Sequence, residues 1–531
     1  MGLFGFEGDN AREKVIVLLT MCFALAMVML DNTVVNVALP AISEKLGAGV
    51  SGLQWIVDGY VLALASLLLT GGIVGDRYGR KKTFLTGLSI FTLASFGCGI
   101  SGSTGMLVVF RAIQGMGAAL LLPGTLSIIT VTFPPHERAK AIGLWAGMSG
   151  LALALGPTVG GLMVEHLGWQ SIFFLNVPIG IIAFLTATRT VKESVSEEER
   201  QLDIPGLALG TAALFSLTYA LIEANQKGWG DPLIVSTLVA GVALIVAFLY
   251  WELHHAHAMM PLRFFRIPAF SAGNTVAFAV SLGMFGTFFF LSLYMQLLRG
   301  YSPFQAGIRF LPMTLMIVVS APLAGKYASK HGSRGPMTYG LLLAGGGLIF
   351  LGTQLQIDTS FAILLPVFAI MGHGMASVMA PMTAAVMNSV GPQRAGLGSA
   401  MSNTSREVGG VFGIALLGTI LTTKLKSSFA PALVGLGLTG GQQRAIDVAG
   451  GHGTLDPSFL ARLHLSPDQT HAVTSAFSSS FMDGFHVAML TGGLVLVAGA
   501  IVANRFIPGR DTVHVRAPGD EQPAVAETVE V

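Results

Sequence analysis

The sequence predicts an all-α integral membrane protein with fourteen membrane-spanning helices. Three observations carry that prediction. Only 11% of the 531 residues are charged and 52% are hydrophobic. A water-soluble protein carries about 25% charged residues, so this chain could not cover a globule of its size with solvated side chains. The apolar residues are gathered into stretches of about 20, the length that crosses a hydrocarbon core of about 30 Å. Glycine, at 67 residues, is nearly twice its ordinary frequency of about 7%, as expected where helices pack closely in lipid. The net charge of +2 offers no basic surface for nucleic acid. Cys22 and Cys98 both lie in apolar stretches, so no disulfide framework, metal site or cofactor is expected.

In order along the chain, the predicted spans are 15–39, 52–73, 83–101, 106–129, 140–164, 171–189, 204–223, 232–251, 271–295, 303–325, 336–354, 361–386, 399–422 and 484–505. The first is too long for the apolar core of a signal peptide and lacks a small-residue cleavage site, so it counts as a span. The first six make an N-terminal bundle over residues 1–190. A charged run at 191–203 breaks the apolar pattern and opens an insertion, 191–260, that holds spans seven and eight. The last six make a second bundle over 261–507. Within it, residues 424–482 are small and polar with apolar clusters at Phe459, Leu460 and Phe477, predicting an external helical hairpin over the outer mouth. Residues 508–531 are polar and read as a disordered tail. An even number of spans puts both termini on one side. With that side cytoplasmic, the inner segments hold about 20 Lys and Arg against about 7 outside, the asymmetry that orients a protein in the cell membrane.

The turn between spans two and three carries Gly72, Asp76, Arg77, Gly79, Arg80, Lys81 and Lys82. Gly79 permits a tight turn. Asp76 can accept hydrogen bonds from a neighbouring helix N-terminus, and the basic cluster anchors the turn at the headgroups. A weaker copy, with Gly325, Lys326, Ser329, Lys330, Gly332 and Arg334, lies between spans ten and eleven, and Ser329 stands where the first copy has Asp76. One turn at the same place in two halves predicts a duplicated bundle. The pattern GxxxDRxGRKK resembles the signature of the major facilitator superfamily. The run from Leu30 through Asp31 and Asn36 to Pro40 is similar to the signature of that superfamily's 14-span drug:proton antiporter branch. Arg111, Gln114, Gly115 and Gly117 resemble its proton-coupling motif, and Gly156, Pro157, Gly160 and Gly161 the motif of its exporters. The stretches Trp169–Gly180, Tyr294 to Gln296 and Ser302 to Pro312 fit the same branch. The resemblance implies a major facilitator fold of two six-helix bundles with two extra central helices. It implies an exporter of hydrophobic, cationic drugs or antibiotics in exchange for protons, with Asp31 in cation recognition or proton coupling and Arg111 in coupling.

The intramembrane charges bear on mechanism directly. Each costs about 2.5–3.5 kcal/mol even on lenient scales, so each is a functional candidate. Asp31, Asp58 and Arg111 fall at one depth, about 8–12 Å below the outer interface at 1.5 Å per residue. One Arg can neutralise only one of the two carboxylates; the other is desolvated and suited to take up a proton. If a cationic substrate prefers the ionised acid, proton and substrate compete, and competition gives exchange. Blander readings stand beside these. Asp31 could be a structural partner of Asn32, Thr33 or Asn36, Asp58 a structural acid, and Arg111 a fixed pair to either. Pro157 kinks span five, and glycines at four-residue spacing let it pack closely, so the turn and this helix are the candidate gating elements. Asn36, Gln114, Tyr294, Gln296, Arg309, His373 and Glu407 are candidate cavity-lining residues. Glu407 reads as a local pair with Arg406, and His373 as a packing residue or a titrating one. A metal site at His254, His255 and His257 is the weaker alternative to an interfacial loop.

The expected partners are small drug-like molecules, protons and the bilayer. A solute uptake symporter is the nearest alternative, opposed by the exporter-like motif and the two inserted spans. A membrane enzyme would need a motif such as HExxH or a Ser/His/Asp set at one depth, and neither is present. A transport-dead receptor would carry a folded soluble domain, whereas the cytoplasmic segments are short.

Overall fold

The computed structural model describes residues 11–195, 203–255, 260, 262–390, 395–451, 455 and 457–509, and nearly all of them are helical. The helices of the first half are α1 (Ala11–Leu46), α2 (Val50–Tyr78), α3 (Arg80–Gly99), α4 (Thr104–Thr132), α5 (Pro135–Leu167), α6 (Ser171–Phe174) and α7 (Asn176–Thr190). The insertion holds α8 (Ile204–Lys227) and α9 (Pro232–His254). The second half holds α10 (Pro268–Leu293), α11 (Pro303–Arg309), α12 (Leu311–His331), α13 (Arg334–Gln354), α14 (Phe361–Val390), α15 (Ala395–Ala432), α16 (Gly440–Gly451), α17 (Pro457–Arg462) and α18 (Pro467–Phe506). The starts follow from local chemistry. Asp203 accepts from Gly206 N–H and Asp231 from Leu233 N–H, each 2.8 Å, capping α8 and α9. Ser302 and Ser466 form reciprocal capping boxes with Gln305 and Gln469.

Each predicted span falls on one helix or on two consecutive ones. Among the described residues, twelve helices are long and apolar enough to cross a membrane, and α3 and α5 are not among them. For α3 the reason is visible: it opens on Arg80, Lys81 and Lys82, and carries Thr83, Thr86, Ser89, Thr92 and Ser95 along its length. The hydroxyls of Ser89, Thr92 and Ser95 are satisfied by carbonyls one turn back. The last two spans are longer than predicted. Leu425, Phe429, Val473, Phe477 and Phe481 are buried and continue the helical apolar period, so α15 and α18 run on as helices and α16 and α17 join them. Of the predicted tail, residues 510–531 lie outside the described residues.

The two halves repeat one packing scheme. In the first, α1 packs on α5, α2 and α3 on α4, and α3 on α7; in the second, α10 packs on α15, α12 and α13 on α14, and α13 on α18. The paired turns match as well: Gly79 and Gly332 both take positive φ, +114° and +87°, where a side chain would be strained. Across the seam, α2 meets α15 while α5 meets α11 and α12. The seam bonds lie toward the end of α1 away from the chain's start. Ser292 donates to Asn36 O (2.6 Å), Gln296 to Val37 O (2.9 Å) and Gln54 to Ile414 O (2.9 Å). Almost every residue of α10 is buried, chiefly against α15, α18 and α14 of its own half, whereas most of the apolar surface of α9 is exposed at the periphery.

Candidate functional site

Arg111, on α4, is completely buried; its Nη1 and Nε are hydrogen-bonded, and its Nη2 has no hydrogen-bond partner. Its Nη1 donates to Asp31 Oδ2 on α1, an ion pair with no solvent exposure on either side, and to Gln114 Oε1 at 2.7 Å. Its Nε donates to Ile56 O on α2 at 3.1 Å. The Tyr60 ring lies 4.2 Å and the Phe173 ring 5.7 Å from the guanidinium carbon, so aromatic faces cover the cation. The other oxygen of Asp31 accepts from Gln114 Nε2 at 2.9 Å and Asn176 Nδ2 at 3.0 Å, and both amides also reach Ser95 Oγ. Arg111 and Gln114 are three residues apart on one helix face, which lets them share Asp31. A charge pair buried this deeply holds only with such extra hydrogen bonds.

Asp58 is at the other extreme. It is fully buried on α2, and neither carboxylate oxygen has a hydrogen-bond partner. The single Arg is therefore committed to Asp31, and Asp58 is the acid left over. Asn32, Thr33 and Asn36 do not partner Asp31. The Thr33 hydroxyl and Asn36 amide donate to carbonyls of their own helix, as short polar side chains do within helices. Asn176 falls in the branch-like stretch Trp169–Gly180 but was given no role there, and Ser95 was not singled out; packing of α3 and α7 on α1 and α4 brings both here.

At the other end of α2, the turn differs from expectation in one respect. Asp76 does not cap a helix; it accepts from Arg80 Nε (3.1 Å) and Nη2 (2.9 Å), the residue one turn on. The N-terminus of α3 is capped by Glu193, whose carboxylate accepts from Lys81 N–H (3.0 Å) and Lys82 N–H (3.2 Å). A Cβ on Gly79 would lie 2.7 Å from that carboxylate. Arg77 is exposed over the Tyr78 ring, and Gly72 is in ordinary contact with Pro123.

The glycines around Pro157 serve two contacts. Gly156 and Gly160 let α5 lie on α1, where a Cβ would strike Thr33 (1.8 Å) and Val34 (2.3 Å). Gly161 faces the opposite half: a Cβ there would lie 2.4 Å from Pro303 O, and one on Gly307 of α11 would lie 2.2 Å from Pro157 O. Thr158 donates to Gly307 O at 3.4 Å. Glu165 closes the same seam by accepting from Ser302 Oγ and from Phe304 N–H. Gly307 lies in the branch-like stretch Ser302 to Pro312, without a role assigned to it there, whereas Glu165 was missed; its signal is a contact between halves.

The remaining candidates disperse. Asn36 and Gln296 sit in the α1–α10 seam. Tyr294 is buried beside Phe485 and donates to Gln356 O at 2.8 Å. Arg309 stacks 3.7 Å over the Tyr301 ring and donates to Gln305 O. His373 meets Ser320 Oγ at 2.8 Å, with half-exposed Tyr339 against its ring. Arg406 bonds to Asn403 rather than to Glu407, because adjacent residues on a helix do not face each other. Glu407 keeps one buried oxygen without a partner. His257 lies outside the described residues, and no metal-binding group occurs among those described.

Residues 21–414 match the family model described as Major Facilitator Superfamily. The tetracenomycin C resistance and export protein of Streptomyces glaucescens is 35% identical over 515 residues, covering 96% of this chain and 94% of that protein. The multidrug resistance protein Stp of Mycobacterium tuberculosis is 30% identical over 525 residues, covering 98% of this chain and 96% of that protein. Among solved structures, a bacterial homologue of the human lysosomal transporter Spinster, in an inward-facing and unoccupied conformation, aligns with a TM-score of 0.63 at 18% identity. It covers 94% of this chain and 98% of that one.

Proposed function

Because the chain belongs to the Major Facilitator Superfamily, a family of membrane transporters rather than enzymes, we propose that it is a proton-coupled antiporter exporting hydrophobic, cationic drugs or antibiotics. The names of its relatives support export and resistance. The observation that carries the coupling is the inequality of the two acids. Asp31 is held as an ion by Arg111, Gln114 and Asn176, while Asp58 has no partner at all. Burying an unpaired charge is far costlier than burying a neutral carboxyl. Asp58 therefore carries the proton in this state, and a substrate cation that reaches it displaces that proton.

The mechanical part of the reading is alternating access by rocking of the halves. The bonded seam lies at the end of α1 away from the termini. With both termini in the cytoplasm, that bonded end is the outer one and the state is closed outside. The Gly161–Pro303 and Gly307–Pro157 contacts form the outer seal, and the Gly79 turn with Asp76, Arg77, Arg80 and Glu193 forms the inner hinge. On this reading α3 and α5 also cross the bilayer, which gives fourteen spans: α3 has 20 residues, about 30 Å at 1.5 Å each.

Everted vesicles with an imposed acid interior test the coupling. Lipophilic cations added one at a time should trigger proton release in the wild type, and the release should disappear in Asp58→Asn. Release that survives in Asp58→Asn and fails only in Asp31→Asn would move the proton to the paired acid. No release with any cation, in a folded and inserted protein, would sink the antiport reading.

A further inference from the structure

A groove lies away from the ion pair, between α15 and the turn joining α8 to α9. Its walls are Leu416, Thr419, Ile420, Thr423, Lys424 and Ser427 on one side and Trp229 on the other, and its volume is about 390 Å³. That volume falls within the range of about 300–1,000 Å³ typical of ligand sites. The six α15 positions share one helix face and form a stripe about 16 Å long. The stripe is graded. Leu416 and Ile420 stand at its apolar end, and Lys424 and Ser427 at its polar end, where α15 runs on into a more polar stretch. Lys424 is exposed and forms no ion pair among the described residues. Trp229, 46% exposed, stands opposite, as an indole does at a membrane interface. An apolar slot that ends on one uncompensated cation has the polarity of an anionic amphiphile.

The two walls belong to different bodies. Near its end, α8 is fastened to the first half: Ser51 Oγ donates to Ile222 O (3.4 Å), and Trp55 Nε1 donates to Glu223 Oε1 (3.0 Å). The Trp55 ring also packs against Phe215 and Tyr219. The hold on the second half is Thr419 Oγ1 donating to Leu221 O at 2.6 Å, and Thr419 is itself a wall of the groove. Any separation of α2 from α15 thus changes the groove's width.

We propose that this groove binds an anionic phospholipid, with its phosphate at Lys424 and an acyl chain along Ile420 and Leu416, and that occupancy favours the state in which α8 and α15 lie together. The state preference rests on the rocking motion proposed above; the lipid site does not.

The test uses the full chain in vesicles made with dibrominated phosphatidylglycerol or dibrominated phosphatidylcholine. The Trp229 contribution to fluorescence is taken as the difference between wild type and Trp229→Phe. Quenching of that component should favour the anionic lipid by about fivefold, the worth of one lysine near an anionic surface. Lys424→Gln should abolish the preference, and Lys45→Gln, at an exposed lysine near the same end, should leave it intact. Equal quenching by the two lipids, or loss of the preference in Lys45→Gln as well, overturns the site. Spin labels at exposed Glu44 and Asp358, one on each half, should report a larger closed population in the anionic lipid only when Lys424 is present. A quenching preference without that change keeps the site and overturns the state preference.

Discussion

Replacing Gly307 with alanine should open the outer seam. The new Cβ would lie 2.2 Å from Pro157 O, 2.9 Å from Pro157 C and 3.1 Å from Thr158 Cα. All three atoms are backbone, so no side chain can swing aside, and α5 and α11 must part by roughly 1 Å to restore ordinary contact. Overpacking of this kind costs about 1–3 kcal/mol. The clash exists only while α5 and α11 touch, so the whole penalty falls on the state closed at this end. At about 2 kcal/mol, a closed-to-open ratio of 99:1 would fall to about 3:1. Electron–electron distance measurements between labels at Glu44 and Asp358 would read the shift as a second, longer population. Gly161→Ala, whose Cβ meets Pro303 O at 2.4 Å, should act in the same direction. The two effects should add incompletely because they strain one contact. A folded Gly307→Ala protein with an unchanged distance distribution would refute the reasoning: α11 would then absorb the clash locally, and the seam would not be a gate.

Removing Asp31 should destabilise more than removing Asp58. Asp31→Asn strands the buried Arg111 cation, a loss of about 3–5 kcal/mol, whereas Asp58→Asn replaces a neutral carboxyl by a neutral amide; thermal unfolding in detergent compares them, and equal losses would contradict the assignment of charge. Arg111→Lys keeps a cation for Asp31 but loses the planar fork that also reaches Ile56 O and Gln114. It should retain most of the thermal stability while substrate-triggered proton release falls severalfold, and unimpaired release would show that the α2 contact is dispensable. The Ser302 hydroxyl, helped by Phe304 N–H, holds the Glu165 carboxyl below its usual value. Its support of the closed seam is then complete above the ordinary carboxylate range, about pH 4.3, and lost only as pH falls through the lowered value. With Asp58→Asn in the background, the closed fraction should be flat from about pH 8 to 5, and Glu165→Gln should lower it throughout; a midpoint near neutrality would assign the latch to another group. Glu193→Gln should weaken the cap on α3 and raise amide exchange at Lys81 and Lys82, and unchanged exchange would remove Glu193 from the hinge.

What sequence could reveal here depended on whether the signal was carried within one helix. The apolar stretches located every long helix, because each stretch contains its own period. Asp31 and Arg111 stood out because a charge in an apolar run is conspicuous alone, and the structure pairs them. Which acid it takes was not legible, since that depends on the rotation of α1 and α2 about their axes. Ser95 and Asn176, both bonded to the ion pair's network, are ordinary residues in their own helices. Glu193 looked like one more charge in a solvated connector until α3 presented its free amides to it. The same limit misassigned Glu407: adjacency in sequence suggested a pair with Arg406, but successive helical side chains diverge. The span count is least legible at α3, whose opening basic residues and hydroxyl side chains lower its mean hydropathy although Ser89, Thr92 and Ser95 are bonded to its own backbone.

One turn of α2 joins these separate pieces. Gln54 donates across the seam to Ile414 on α15, Trp55 donates to Glu223 on the inserted α8, and the Ile56 carbonyl accepts from Arg111. Asp58 follows within the next turn, unpaired. Three neighbouring residues thus bind three different bodies, since successive helical positions point in different directions. An axial shift of this turn cannot leave Arg111 undisturbed, because its guanidinium is held to the Ile56 backbone and to Asp31 at once. Nor can it leave the seam undisturbed, because Gln54 is seated where a Cβ on Gly418 would lie only 1.9 Å away. A change of charge at Asp58 therefore acts on the one element that both the ion pair and the seam require to be in place. On the proposed antiport, this turn is the physical carrier of a two-state coupling: proton loss at Asp58 would penalise the dry, closed packing of α2 against α15, and the same displacement would relax the hold on Arg111.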